Sequence, residues 1–147
     1  MARMVVDGYD ALFAGLEDMI SSLPELRDAI LEAEADAAEP IIRQGVLVAK
    51  LKRTGTLHRS IKRKRTTGRG IPVIRIGPSG THHLYIPRNG GNGVVTSGYV
   101  GYIHEYGEPS RGIRGRKWLS NAVALAKVPA YDAAETVYDE YMKNHNL

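Results

Sequence analysis

The chain has 147 residues, 43% of them hydrophobic and 24% charged, which is the balance of an ordinary globular domain long enough to bury roughly 70% of its unfolded surface. It has no cysteine, which excludes a disulfide scaffold, a thiol nucleophile and any cysteine-ligated metal centre. The net charge of +4 hides a polar distribution: ten acids against two bases in residues 1–40, eleven bases and no acid in 41–75, and seven bases against six acids in 76–147.

The first element reads as a helix. Tyr9, Leu12, Phe13, Leu16, Ile20 and Leu23 recur at three and four residues, with Asp7 as N-cap. Ser22-Leu23-Pro24-Glu25 has the signature of a second helix start, with serine three residues before glutamate and proline in the first turn. That helix keeps Leu26, Ile30, Ala33, Ala37, Ile41, Val48 and Leu51 on one side. Pro40 is expected to bend or break it, giving one segment to about residue 38 and another over 41–52. Gly45 weakens the latter by about 1 kcal/mol relative to alanine.

After Thr54-Gly55 the period changes. Residues 61–66 form a polar strand, Gly68-Arg69-Gly70 a turn, and 71–77 a strand with β-branched residues at 71, 73, 74 and 76; together they predict a hairpin. From 78 to 98 the composition shifts to Gly, Asn, Ser, Thr and Pro. Within this long loop, Leu84–Ile86 and Val94–Thr96 can pair across Gly90-Gly91-Asn92-Gly93 as a protruding arm. Loops of this length are usually functional. Residues 99–107 read as a short amphipathic turn or helix ending at glycine, and 108–115 as a basic loop. The closing helix, 116–144, carries Leu119, Ala122, Val123, Ala126, Ala130, Ala133, Ala134, Val137 and Tyr141 on one stripe, with a kink or break expected at Pro129.

Enzyme chemistry finds little support. His82-His83 and His104-Glu105 lack the second histidine of a zinc helix, and adjacent histidines in a glycine-rich loop read as solvated. No phosphate-binding glycine pattern opens a helix, and no nucleophile elbow exists. No catalytic residue, cofactor site or metal site is therefore expected. No apolar run approaches the ~20 residues that span a bilayer. The opening Met1–Asp7 reaches an acid too soon for a signal peptide, so no membrane partner is expected. The strongest raw signal is the basic run, above all Lys62, Arg63, Lys64, Arg65 and Arg69. Strand alternation sends Lys62 and Lys64 one way and Arg63 and Arg65 the other. Two readings stay open: sequence-blind phosphate contact, or a solvated hairpin meeting the acidic helices of this or a neighbouring subunit.

The order of short motifs adds a resemblance. Ala38-Glu39-Pro40-Ile41 leads into Thr54-Gly55-Thr56-Leu57-His58-Arg59-Ser60-Ile61. A hairpin follows, ending Ile76-Gly77-Pro78, then Tyr102-Ile103-His104-Glu105-Tyr106-Gly107, then a helix opened by Arg116-Lys117-Trp118-Leu119. This order resembles the neck or tail-completion proteins of long-tailed bacteriophages, whose stretches run roughly T-G-x-L-x-x-S-I, I/V-G-P, an aromatic E-x-G-T and R-P-F-L. It covers about residues 8–143. The sequence departs from that pattern at Lys117 for proline, Trp118 for phenylalanine and Glu108 for threonine, and in a longer 78–98 segment.

The resemblance implies a non-enzymatic virion part, assembled in the host cytoplasm. Copies would form a homo-oligomeric ring of six or twelve that joins the head connector or stopper to the tail tube or terminator, with double-stranded DNA passing through the lumen. A tail-terminator ring is the near alternative, and a stand-alone basic nucleic-acid-binding module is the alternative of another class. The expected fold is a single α+β domain: a small antiparallel β-sheet with packed helices, an N-terminal helical pair and a long C-terminal helix. Residues 1–52 make its helical part and 53–107 its β-hairpin core with the protruding 78–98 loop. Leu84, Tyr85, Ile86, Val94 and Val95 are the candidate inter-subunit loop residues, and Tyr102, Tyr106 and Trp118 the packing anchors.

Overall fold

A computed structural model of the chain describes residues 9–51, 55–86 and 91–145. The class is α+β, with four helices, the last of them long. The order is α1 (Tyr9–Val48), α2 (Thr56–Ser60), β1 (Ile61–Gly68), β2 (Ile71–Pro78), β3 (Thr81–Ile86), β4 (Gly91–Thr96), α3 (Ser97–Tyr106), β5 (Gly107–Glu108), β6 (Ile113–Arg114) and α4 (Trp118–Asn144). The described strands form three separate antiparallel pairs, β1–β2, β3–β4 and β5–β6.

The expected N-terminal helical pair is instead one 40-residue helix that runs through both Pro24 and Pro40. An interior proline costs about 3 kcal/mol through a lost hydrogen bond and a clash one turn back. Continuing past Pro40 seats Ile42 and Val46, both buried, in the core. Burial of two such side chains is worth together about 3–6 kcal/mol, enough to offset the proline. The helix ends at Val48, short of the expected Lys52, which lies outside the described residues. Its buried positions are Leu26, Ala35, Ile42 and Val46, a stripe rotated from the expected one, and Val48 is exposed. The stripe expected over Tyr9–Ile20 has side chains outside those described. Pro129 likewise does not break α4.

The core joins α1, α2, β1 and α4 through Ile42, Val46, Leu57, Ile61, Trp118 and Ala122, with Ala38, Ala49, Leu51, Ile76, Val100 and Leu119 against it. Trp118 is only 1% exposed, and its indole Nε1–H donates to Gly101 O at 3.0 Å. Burying about 200 Å² of aromatic surface contributes on the order of 5 kcal/mol. Gly45 allows α1 and α4 to approach: a Cβ there would stand 2.6 Å from Ala122 Cβ. The expected packing anchors Tyr102 and Tyr106 are a correction, since both are exposed and touch each other, with ring centroids 4.8 Å apart. They lie between the buried positions Ile103 and Glu105 around α3, on a sector that the rest of the described chain leaves uncovered.

The β1–β2 hairpin is the expected one. Ile61 pairs with Pro78 and Gly68 with Ile71, leaving a two-residue turn, Arg69-Gly70, with φ of 51° and 78°. Positive φ at both central residues matches the right-handed twist of the flanking strands. The second hairpin is an arm within the 78–98 segment, but not in the expected register: Leu84–Ile86 pair with residues 91–93 and Val94–Thr96 with residues 81–83. Its strands pair with each other, Leu84 with Gly93, Ile86 with Gly91 and Val94 with His83. It meets the rest of the described chain chiefly at α3.

Candidate interaction surface

The basic hairpin presents two chemically different faces. Residues directly opposite in an antiparallel pair share a face. Arg63 lies opposite Ile76 and Arg65 opposite Ile74, and this face turns to α1. There α1 offers Asp28, Glu32, Asp36 and Glu39, spaced four, four and three residues apart and so on one side of the helix. Arg63 reaches Asp36 at 2.6 Å, Glu39 at 2.9 Å and Glu32 at 3.3 Å. Arg65 reaches Asp28 at 2.6 Å and Glu32 at 3.4 Å. Arg43 holds Glu39 from the helix side at 2.7 Å and donates to Ile61 O at 3.1 Å, tying the start of β1 to α1. The hydrogen bond from Arg65 holds the pKa of the Asp28 carboxyl below its ordinary value, and the one from Arg63 to Asp36 raises the pKa of the Arg63 guanidinium, which is charged in any case. Of the two readings of the basic run, the intramolecular one therefore describes Arg63 and Arg65.

The other face is unmatched. Lys62 lies opposite Gly77, and Lys64 lies directly opposite Arg75; all three cations are exposed. Arg69 stands exposed in the turn. Among the described residues, none of these four forms an ion pair, whereas Arg63 and Arg65 make five between them.

A second surface lies along α4. Its buried residues, Trp118, Ala122 and Ala126, face the core at four-residue spacing. Val123, Leu125, Val128, Tyr131 and Tyr138 are exposed on its other sides, Val128 at 65% and Tyr131 at 67%. Val128 and Tyr131 continue into an open groove of about 780 Å³ with Leu31, Ala35, Ala38, Ile74 and Ile76. The arm completes the inventory. Val94 is exposed and Val95 half-buried, while the side chains of Leu84, Tyr85 and Ile86 lie outside those described, as do those of His82 and His83.

The structure brings the four motif stretches, distant in sequence, to one place. Leu57, Ser60 and Ile61 are buried; Ser60 O accepts the N–H of Ser79, just past Ile76-Gly77-Pro78. A Cβ on Gly101 would meet Pro78 Cγ at 2.8 Å and the Trp118 ring at 3.4 Å. Glu105, 4% exposed, caps α4. Gly107, at φ 88°, leaves room for Gly115, whose N would stand 2.6 Å from a Cβ there. Thr54 lies outside the described residues. Two of the departures have local explanations. Lys117 has a φ of 48°, which proline cannot adopt. Glu108 accepts from Tyr99 Oη at 3.5 Å and pairs with Arg111 at 3.5 Å.

No family model, no curated protein and no solved structure matches this chain. Among the described residues, no group of three His, Cys, Asp or Glu side chains is placed to hold a metal ion, and no helix is long and apolar enough to cross a membrane. The signal that sequence reasoning missed is Glu105. It was findable, because α4 opens on Arg116-Lys117-Trp118 with no side-chain acceptor of its own, so its first N–H groups need one from elsewhere.

Proposed function

We propose that this chain is a structural subunit of a bacteriophage neck. Copies form a closed ring between the head connector and the tail tube, and the genome passes through the lumen. The observation that carries the reading is α4, a helix apolar on more than its core-facing side. A helix that keeps Val123, Leu125, Val128 and Tyr131 exposed after the domain has folded has a second surface to cover. A head-to-tail interface between identical subunits closes into a ring when the rotation permits.

The motif order supports the assignment to the neck. Its four stretches resemble the family's, and here they meet around Trp118 and Glu105, as parts of one fold should. The arm of β3 and β4 suits contact with an adjacent subunit or ring, since each strand keeps an edge unpaired among the described residues. The virion is the proposed location, with assembly in the host cytoplasm and no catalytic role. A tail-terminator ring would use the same surfaces at the other end of the joint.

Imaging of purified particles tests the reading. The expected result is this chain at a fixed ring stoichiometry of six or twelve copies at the head–tail joint, as the resemblance implies. Absence from particles, or isolated copies within them, would overturn it.

A further inference from the structure

The geometry points to the outer face of the β1–β2 ribbon as a binding surface for the phosphate backbone of double-stranded DNA, through Lys62, Lys64 and Arg75, with Arg69 at the turn. The inference rests on the neck reading for the identity of the polyanion, and its test separates the two.

The register makes the first argument. Lys64 and Arg75 are directly opposite each other, and like charges in that position destabilise a strand pair. On the inner face both arginines are answered by carboxylates of α1; on the outer face, among the described residues, no acid stands in ion-pair distance of any of the four cations. The sequence explains why none does. From Pro40 to His104 there is no acid at all, so no flanking turn or strand can supply one. The fold thus neutralises one face of the ribbon and leaves the other charged.

The second argument is shape. Lys62 and Lys64 are alternate residues of one strand, roughly 7 Å apart, and Arg75 stands across from them on a platform anchored by α1. DNA carries one charge per roughly 1.7 Å of axis, so a rigid row of cations meets several phosphates whatever the base sequence. An acidic protein surface is the rival ligand. The α1 acids nearest the ribbon are spent on Arg43, Arg63 and Arg65. Those of α4 (Asp132, Glu135, Asp139 and Glu140) make a second copy the one rival this chain itself can provide.

Fluorescence anisotropy of a labelled mixed-sequence duplex, titrated with the full chain at roughly 50–200 mM salt, measures both affinity and salt slope. The wild type should bind regardless of sequence. The K62S/K64S/R75S variant should bind at least about tenfold more weakly at the low-salt end, with a log–log slope shallower by about 2–3 units, since each neutralised phosphate contributes about 0.9. Circular dichroism checks its fold, and K64S alone, which removes the like-charge pair, serves if the triple variant misfolds; its slope should fall by about 1. Failure of the wild type to bind duplex, or an unchanged slope in the variants, overturns the inference. So does native mass spectrometry showing that the substitutions abolish self-association while leaving duplex binding intact, the second-copy outcome. If the wild type fails to bind yet particles hold the ring, this surface falls and the neck reading stands. If it binds duplex but is absent from particles, the neck reading falls and the surface stands.

Discussion

The carboxylate of Glu105, on α3, accepts the backbone N–H of Leu119 at 2.7 Å and so caps a helix that begins thirteen residues further along the chain. The same group accepts the N–H of Ser120 at 3.2 Å and its hydroxyl proton. A buried anion is costly unless it is hydrogen-bonded, and the positive end of α4 supplies what it needs. Replacing Glu105 by alanine leaves the N–H groups of Leu119 and Ser120 at the start of α4 without their acceptor. The expected loss is about 2–3 kcal/mol, read by chemical denaturation. Glu105→Gln keeps an acceptor and should lose about half as much. Equal losses for the two variants would show that the carboxylate fills space and does not cap.

Gly45 and Ala122 form a matched pair across α1 and α4. Helix propensity favours Gly45→Ala by about 1 kcal/mol, but the new Cβ would stand 2.6 Å from that of Ala122. Overpacking costs about 1–3 kcal/mol, so the single variant should be destabilised on balance. Gly45→Ala with Ala122→Gly should recover part of the loss, because the two sites share one contact. Additive losses in the double-mutant cycle would disprove the coupling.

Much of this fold was legible in the sequence, and the failures share a cause. The β1–β2 hairpin follows from β-branched residues and a Gly-Arg-Gly turn, both local signals. Pro40 misled because the local rule against interior proline competes with burial of Ile42 and Val46, which only the packed α4 reveals. Tyr102 and Tyr106 misled because an aromatic cluster does not declare its face. The charge tally offered an acid–base contact as one of two open readings, and strand alternation showed that Arg63 and Arg65 would share a face. Which of the two pairs meets α1 depends on how the hairpin docks, and local sequence does not encode that.

The docking makes the two alternating pairs of central cations unequal, since Arg63 and Arg65 meet the acids of α1 and Lys62 and Lys64 face away. Arg63→Ser with Arg65→Ser should lower the melting temperature, because it releases Asp28, Glu32, Asp36 and Glu39 to repel one another on α1. Lys62→Ser with Lys64→Ser should leave it unchanged or raise it, since it removes like-charge contact with Arg75. Added salt should narrow the gap between the two variants, as these groups are partly exposed. Equal melting temperatures at low salt would mean that the ladder on α1 contributes nothing.

His104 gives the fold a pH dependence of known sign. Burial holds its imidazole below the ordinary value of 6.5, and the Arg116 guanidinium adds to the effect. As pH falls below about 6.5 the unfolded chain takes up a proton that the folded chain refuses, so stability declines through that window and levels off below the folded value. His104→Gln should flatten this part of the stability curve. An unchanged slope between pH 7 and 5 in the variant would remove His104 as its source.

Lys117 is where the chain departs most instructively from the neck-protein pattern. It precedes α4 at a φ of 48°, and its N–H donates to Glu105 O at 3.1 Å. A proline here would lock φ near −65° and remove that donor, so Lys117→Pro should cost about 3 kcal/mol or more. Lys117→Gly should be neutral or stabilising by up to about 1 kcal/mol, since glycine takes positive φ without steric cost even as it adds freedom to the unfolded chain. If Lys117→Pro melted at or above the wild-type temperature, the left-handed residue would not be required, and α4 could begin as the family pattern has it.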